Sequence, residues 1–332
     1  MVKPFVRSAA WLSLACGLAC TPAFDENASK VSSPEILAVQ ATPAEGPLGA
    51  AFALTALYVD SNGPRDPSEI DWATCLRQKP LGEPGPVDPG CFVDASPDLV
   101  PLGKGGTAKG TIPQTACQLF GPDSPPPAPG QAGTRPTDPD TTGGFYLPIR
   151  VKSPEREWSV ALERIACPPS GLTQSVFLAF TSGYRMNTNP MLSDLSRVDG
   201  TGVATPLTPD PVNSDAGASP AIRVVAGEQV NLRATWPTCS GDEACSGAES
   251  YLFVDPTSKQ VMTRRESMVA SWYATGGGFD ESRNGRGEDD PVTDVANRWT
   301  APSDEETVHL WVVLRDARGG VGWGSYTIGV HP

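Results

Sequence analysis

The sequence is poor in the residues and motifs that enzymes use for catalysis. Its 332 residues include only two histidines, His309 and His331. A serine hydrolase needs a histidine beside its nucleophile, but His309 lies in an alternating strand pattern and His331 is the second-last residue. No Gly-x-Ser-x-Gly, His-Glu-x-x-His, phosphate-loop or dinucleotide-binding glycine motif occurs. We therefore predict a protein that is not an enzyme and uses no cofactor.

Metal-binding patterns are also scarce. No Cys-x-x-Cys pair occurs, so a zinc site is not expected. An EF-hand pattern is absent as well. One acidic loop carries hard carboxylate oxygens of the kind that calcium prefers, and its members Asp289, Asp290 and Asp294 are weak calcium candidates. A solvated acidic loop is the alternative, and we predict no bound metal.

Positive charge is in short supply. The chain has 25 Lys and Arg against 38 Asp and Glu, which gives a formal net charge of −13 at pH 7. Nucleic acids and anionic lipid surfaces repel a protein of this charge. We therefore predict that the chain has no nucleic-acid partner.

No apolar run is long enough to span a bilayer. Residues 8–19 form a shorter run after Lys3 and Arg7, which is typical of a secretory signal peptide. Because Cys20 follows directly, residues 1–19 resemble a bacterial lipoprotein signal, which implies that Cys20 is lipidated. Cys16 is the alternative lipidation site, and an ordinary cleaved signal is the other alternative. The resemblance implies a lipid anchor in the outer membrane, facing the periplasm or the cell surface.

The remaining cysteines are even in number, which in an exported chain indicates a disulfide framework. Only Cys239 and Cys245 are compelling from sequence, because a short polar loop separates them. Six cysteines allow fifteen pairings in general. We expect the other four to pair within the first half, as Cys75 with Cys91 and Cys117 with Cys167.

Alternating apolar residues predict strands throughout the chain. Residues 51–60 are apolar on both faces, which predicts burial between two sheets. Residues 308–314 and 321–330 flank an Asp and Gly turn and predict a β-hairpin. Residues 79–89 and 121–144 are rich in proline and predict loops. The other predicted strands are 36–42, 70–75, 145–151, 158–167, 176–182, 229–236 and 268–274.

Two tryptophans, Trp311 and Trp323, point away from the alternating apolar series of the predicted hairpin. Exposed tryptophans would suit stacking on sugar rings, and the alternative is that they cover a second core face.

Several segments of the second half carry a further resemblance. Residues 271–273 read Ser-Trp-Tyr, residues 299–302 read Trp-Thr-Ala-Pro, and residues 310–316 read Leu-Trp-Val-Val-Leu-Arg-Asp before Gly319 and Gly320. This order is similar to bacterial immunoglobulin-like domains, including those of polycystic-kidney-disease type. Residues 34–39 and 189–200 look like domain openings in tandem surface lipoproteins of predatory and soil (myxobacterial-type) proteobacteria. The resemblance implies a fold and no specific function.

Together these observations predict an all-β protein with two immunoglobulin-like β-sandwich domains in tandem. The predicted parts are the signal peptide 1–19, a tether 20–33, a first sandwich 34–187 and a second sandwich 188–332. The predicted function is a non-catalytic, lipid-anchored binding, adhesion or spacer module of the cell envelope. Its partners would be membrane lipid and an envelope protein or glycan. The alternative is a carbohydrate-binding module, with calcium as a possible aid.

Overall fold

The computed structural model describes residues 28–79, 87–122, 144–155, 158–211, 220–240 and 244–332. The predicted signal peptide with Cys16 and Cys20 lies outside these residues, as do most of the two proline-rich segments. Within the described ranges the chain is built mainly from strands. The predicted all-β sandwich class is confirmed.

The first sandwich contains two sheets. Its strands are β1 Glu35–Thr42, β2 Glu45–Gly46, β3 Ala51–Asp60, β4 Gly63–Pro64, β5 Asp71–Cys75, β6 Leu99–Lys104, β7 Thr107–Thr111, β8 Gly144–Lys152 and β9 Ser159–Ala166. A 3-10 turn spans Pro89–Phe92, and two helices follow, α1 Ala116–Leu119 and α2 Gln174–Gly183. Sheet I joins β1, β3 and β4, with β7 on the other side of β3. Sheet II has the order β2-β9-β8-β5-β6.

The second sandwich also contains two large sheets. Its strands are β10 Asp194–Val198, β11 Ala204–Pro206, β12 Ile222–Val225, β13 Gln229–Thr235, β14 Ser250–Val254, β15 Val261–Arg265, β16 Met268–Ala274, β17 Gly278–Phe279, β18 Arg283–Arg286, β19 Asp294–Thr300, β20 Glu306–Asp316 and β21 Val321–His331. Sheet III has the order β12-β21-β20-β16-β18, and sheet IV has the order β11-β10-β13-β19-β17. Strands β14 and β15 form a separate hairpin.

The sheets stack in the order II, I, III, IV, because strand β3 is apolar on both faces. Phe52 and Leu54 belong to the core between sheets I and II. Leu57 and Val59 point the other way, into a cluster that they share with sheet III. The prediction that this strand lies between two sheets is therefore confirmed. A side chain of this size contributes roughly 1.5–3 kcal/mol when fully buried, so both layers hold the strand in place.

One predicted strand was wrong. Residues 176–182 form most of helix α2, in which Phe180 is the buried residue. A short run of apolar residues does not distinguish a strand from a helix by periodicity alone. The helix ends at Gly183, where Tyr184 returns to extended backbone.

The segment before β1 also differs from expectation. We predicted a tether over residues 20–33, but Ser29 and Val31 pair with the end of β16 in the second sandwich. The Val31 amide donates to the Ala274 carbonyl at 2.9 Å, and the Ala274 amide donates to the Ser29 carbonyl at 2.9 Å. Val31 is fully buried. Open backbone groups at the end of β16 and an apolar side chain that fills the cluster beneath explain this docking.

The three expected disulfides form. Cys75 bonds Cys91, Cys117 bonds Cys167, and Cys239 bonds Cys245. The second of these closes the longest loop, with a sequence separation of 50, and so constrains the unfolded chain most. This bridge links α1 to the residue after β9.

Candidate functional site at the domain junction

An apolar cluster joins the two sandwiches. Trp311 and Val313 lie on the outer face of sheet III and are 1% and 0% exposed. They contact Leu57 and Val59 of β3, and the half-buried Trp323 packs against the same cluster. Of the two alternatives for these tryptophans, the second is correct: they cover a second core face. Trp311 is therefore not available to stack on a sugar.

His309 extends this cluster toward the first sandwich. Its ring is stacked on that of Trp311, with centroids 6.1 Å apart. A Cβ added at Gly63 would lie 2.7 Å from Nε2 of His309, so only glycine fits in the β3–β4 turn. Burial lowers the pKa of His309, while Asp210 and Asp60 oppose this effect. His309 is half-buried, as its place in the strand pattern predicted.

A charged cluster lies beside the apolar one, centred on Arg318 in the β20–β21 turn. This side chain is only 2% exposed. Its Nε donates to Glu266 at 2.6 Å, and a terminal nitrogen donates to Glu249 at 2.7 Å. The other terminal nitrogen donates to the carbonyl of Arg185, in the segment between the sandwiches, at 2.9 Å. The guanidinium therefore binds three separate parts of the chain.

Glu45 of β2 is the matching group from the first sandwich. Its carboxylate lies 3.2 Å from Nε of Arg164 and 4.0 Å from Arg318. It also accepts hydrogen bonds from the Tyr184 hydroxyl at 2.7 Å and from the Asn187 amide at 2.8 Å. Burial raises the pKa of Tyr184 to about 12, so this hydroxyl keeps its proton near neutral pH. Glu45 thereby connects β9, the interdomain segment and the second sandwich.

The turn that presents Arg318 is shaped by Asp316 and Gly319. Asp316 accepts from the backbone amides of Arg318 and Gly320, both at 2.8 Å, and from the Asn187 side chain at 3.1 Å. Gly319 has a φ of 96°, a conformation that favours glycine. Its Cα faces the ring of Tyr146, whose hydroxyl donates to the Arg318 carbonyl at 3.3 Å. The hairpin turn is thus a docking element for the first sandwich.

Acids outnumber bases in this charged cluster. Three buried carboxyl groups, Glu45, Glu249 and Glu266, and the half-buried Asp316 face two buried guanidinium groups, Arg164 and Arg318. Burial and the neighbouring Asp316 raise the pKa of Glu266 to about 8, although Arg318 opposes this shift. Burial also raises the pKa of Asp316. The cluster therefore retains a proton near neutral pH.

The calcium candidates lie between β18 and β19 and at the start of β19 in the second sandwich. Asp290 and Asp294 face Arg286, at 3.1 and 3.7 Å, and Asp289 is exposed. Across the parts of the chain that the structure describes, no three acidic, histidine or cysteine side chains converge as a metal site would require.

The junction was not predicted from the sequence. Arg318 was recognised as part of the hairpin turn, but its partners Glu45, Glu249 and Glu266 were not singled out. One sequence signal could have identified these residues. Each is a charged residue directly beside a strand with an apolar pattern, and an ionised group that is buried there needs a partner. Which groups pair depends on how the two sandwiches meet, and no local pattern encodes it.

Comparisons with known proteins give no family. No family model matches the sequence, and no curated protein matches it. Among solved structures, the adhesin InvE of Yersinia pseudotuberculosis is similar with a TM-score of 0.22 and 10% identity over 89% of this chain and 58% of that chain. A DUF4785 family protein from Legionella pneumophila matches with a TM-score of 0.20 and 9% identity, covering 85% of this chain and 52% of that chain.

A third similarity is to Escherichia coli alpha-2-macroglobulin activated by porcine elastase, with a TM-score of 0.19 and 9% identity. It covers 92% of this chain and 22% of that chain. The chain thus spans less than two thirds of each of these three proteins, and none of the similarities bears on its function. Within the described residues, no helix has the length and apolar character needed to cross a membrane.

Proposed function

We propose that the chain is a non-catalytic binding, adhesion or spacer module of the cell envelope, whose two immunoglobulin-like sandwiches act as one rigid body. The observation that supports this proposal is the junction, where the apolar cluster around Trp311 and the charged cluster around Arg318 lie side by side. Domains of one chain move relative to each other by default unless a large apolar interface holds them. A rigid body of this kind displays its end loops at a fixed distance and angle.

The proposal includes a lipid anchor at Cys20, with Cys16 as the alternative, and an outer-membrane location. The acidity of the body supports a role above the bilayer surface, because anionic headgroups repel it. The partner would be an envelope protein or a glycan that meets the loops or the outer faces of the sandwiches.

Rigidity is tested by a distance measurement between the sandwiches. With spin labels at the exposed positions Lys109 and Thr201, we expect a single narrow distance distribution in the wild-type chain. The Trp311→Ala variant should broaden it, because the lost side chain fills the middle of the apolar cluster. Trp158→Ala is the matched control, since this tryptophan contacts Phe92 and Arg150 within the first sandwich. A broad distribution in the wild type, or an unchanged one in Trp311→Ala, contradicts a rigid junction.

The anchor is tested by metabolic labelling with palmitate. We expect label in the wild-type chain and in Cys16→Ser, and none in Cys20→Ser, because the lipidated cysteine is the acceptor. The Cys20→Ser protein should also leave the membrane fraction, since stable anchoring needs the acyl chains. Label that persists after both cysteines are replaced contradicts the anchor, whatever the distance measurement gives.

A further inference from the structure

The outer face of sheet IV bears an open cavity of about 650 Å³, lined by both polar and apolar atoms. Asn231 and Arg233 of β13 point outward from its floor, two positions apart on the same face. The small side chain of Ala296, opposite Arg233 on β19, leaves the space open. Asp280 and Glu281, between β17 and β18, form the wall. This volume falls within the range of small-ligand sites.

Most charges that line the cavity are already paired. Arg298 bonds Asp280 at 2.6 Å, and Asp294 lies 3.7 Å from Arg286. Arg233 is an unpaired charge in this lining. Within the described ranges its half-buried side chain has no hydrogen-bond or ion-pair partner, and its Nε is buried. Glu281 and Asn231 are exposed side chains on the same surface. A buried donor left unpaired is unfavourable, and a ligand acceptor would recover the lost hydrogen bond.

The lining restricts the chemistry of such a ligand. A guanidinium binds a carboxylate through two parallel hydrogen bonds. Asp280, Glu281 and Asp294 surround it, so a ligand with one negative charge is favoured over a polyanion. Among the described residues that line the cavity, none is aromatic. The amide of Asn231 and the carboxylate of Glu281 suit ligand hydroxyl groups.

We propose that this cavity binds an acidic sugar, with its carboxylate on Arg233 and its hydroxyl groups on Asn231 and Glu281. The proposal rests on the proposed binding function and names a glycan as the partner. It does not involve Trp311, Trp323 or calcium.

The test is calorimetric titration of the full exported chain with galacturonic, glucuronic and N-acetylneuraminic acids. We expect at least one of them to bind with saturation, and galactose, glutamate and inorganic phosphate not to bind measurably. The Arg233→Gln variant should weaken binding by at least about 10-fold, because a hydrogen bond to a charged group is lost. Arg223→Gln removes the same charge from an exposed position on sheet III and should bind as the wild type does.

Three results would overturn the proposal. The first is saturation by none of the acidic sugars. The second is binding of galactose, glutamate or phosphate as tight as that of the best acidic sugar, which would indicate non-specific binding or general anion binding. The third is full affinity in Arg233→Gln with a wild-type denaturation curve. None of these results affects the palmitate or distance measurements, so failure of this inference is distinguishable from failure of the proposed module.

Discussion

Replacing Arg318 with alanine is expected to lower the free energy of unfolding by about 3–5 kcal/mol, because it leaves buried carboxylates without their partner. Glu266 and Glu249 bond this guanidinium at 2.6 and 2.7 Å, and both are almost completely buried. The loss should be measured by urea denaturation at pH 7, followed by tryptophan fluorescence.

Two further variants give this prediction its controls. Arg223→Ala removes an exposed arginine and should change stability by less than about 0.5 kcal/mol. The double variant Arg318→Met with Glu266→Gln should recover part of the loss, because it removes charge from both sides of the buried pair. A single Arg318→Ala variant as stable as the wild type would contradict the assigned role of the charged cluster.

The second large effect is expected at Glu163, whose side chain enters the core of the first sandwich. Glu163 lies opposite Leu147 in the β8–β9 ladder and is 0% exposed. Neither carboxyl oxygen has a hydrogen-bond partner in the structure. Burial, with a smaller contribution from the charge of Glu45, raises the pKa of Glu163 to about 8. The folded protein therefore keeps this proton at pH values where the unfolded chain has released it.

The direction of the pH effect follows from this proton. Because the folded state binds it more tightly, rising pH favours unfolding, by up to about 1.4 kcal/mol per pH unit. The stabilisation is complete below the unfolded pKa of about 4.3 and is lost as the pH rises through the folded value of about 8. Glu266 loses a proton in the same range, but it does so in both proteins that are compared.

The measurement compares urea denaturation of the wild type and Glu163→Gln from pH 5 to pH 9. The glutamine variant keeps the size of the side chain and has no titrating proton, so its free energy of unfolding should rise relative to that of the wild type from pH 5 to about pH 8 and level off above it. Glu69→Gln, at an exposed carboxylate paired with Lys104, is the control and should run parallel to the wild type. If the curves of the wild type and Glu163→Gln are parallel, the side chain is not buried as described.

The strands that local patterns define were the ones predicted correctly. Residues 51–60 and the hairpin of β20 and β21 alternate over many positions and end at clear turns, so their bounds followed from the sequence. Residues 176–182 are a short apolar run, and tertiary context decided in favour of a helix. The bridges Cys75–Cys91 and Cys239–Cys245 could be predicted, because cysteines that lie close together along the chain have few alternative partners.

The junction could not be predicted in the same way. Trp311 was recognised as pointing off the core face, but the surface that covers it comes from β3, far earlier in the chain. Arg318 and Glu45 likewise come from different sandwiches and lie far apart in the sequence. Long-range pairs of this kind leave no periodic signal, since each partner looks locally like an ordinary turn or edge residue.

The pairing of Ser29 and Val31 with β16 has a mechanical consequence. A chain held upstream of residue 28 enters the molecule at the second sandwich, although the first sandwich follows next in sequence. Tension between such an attachment and a load carried by sheet IV passes through this short clasp directly into the second sandwich.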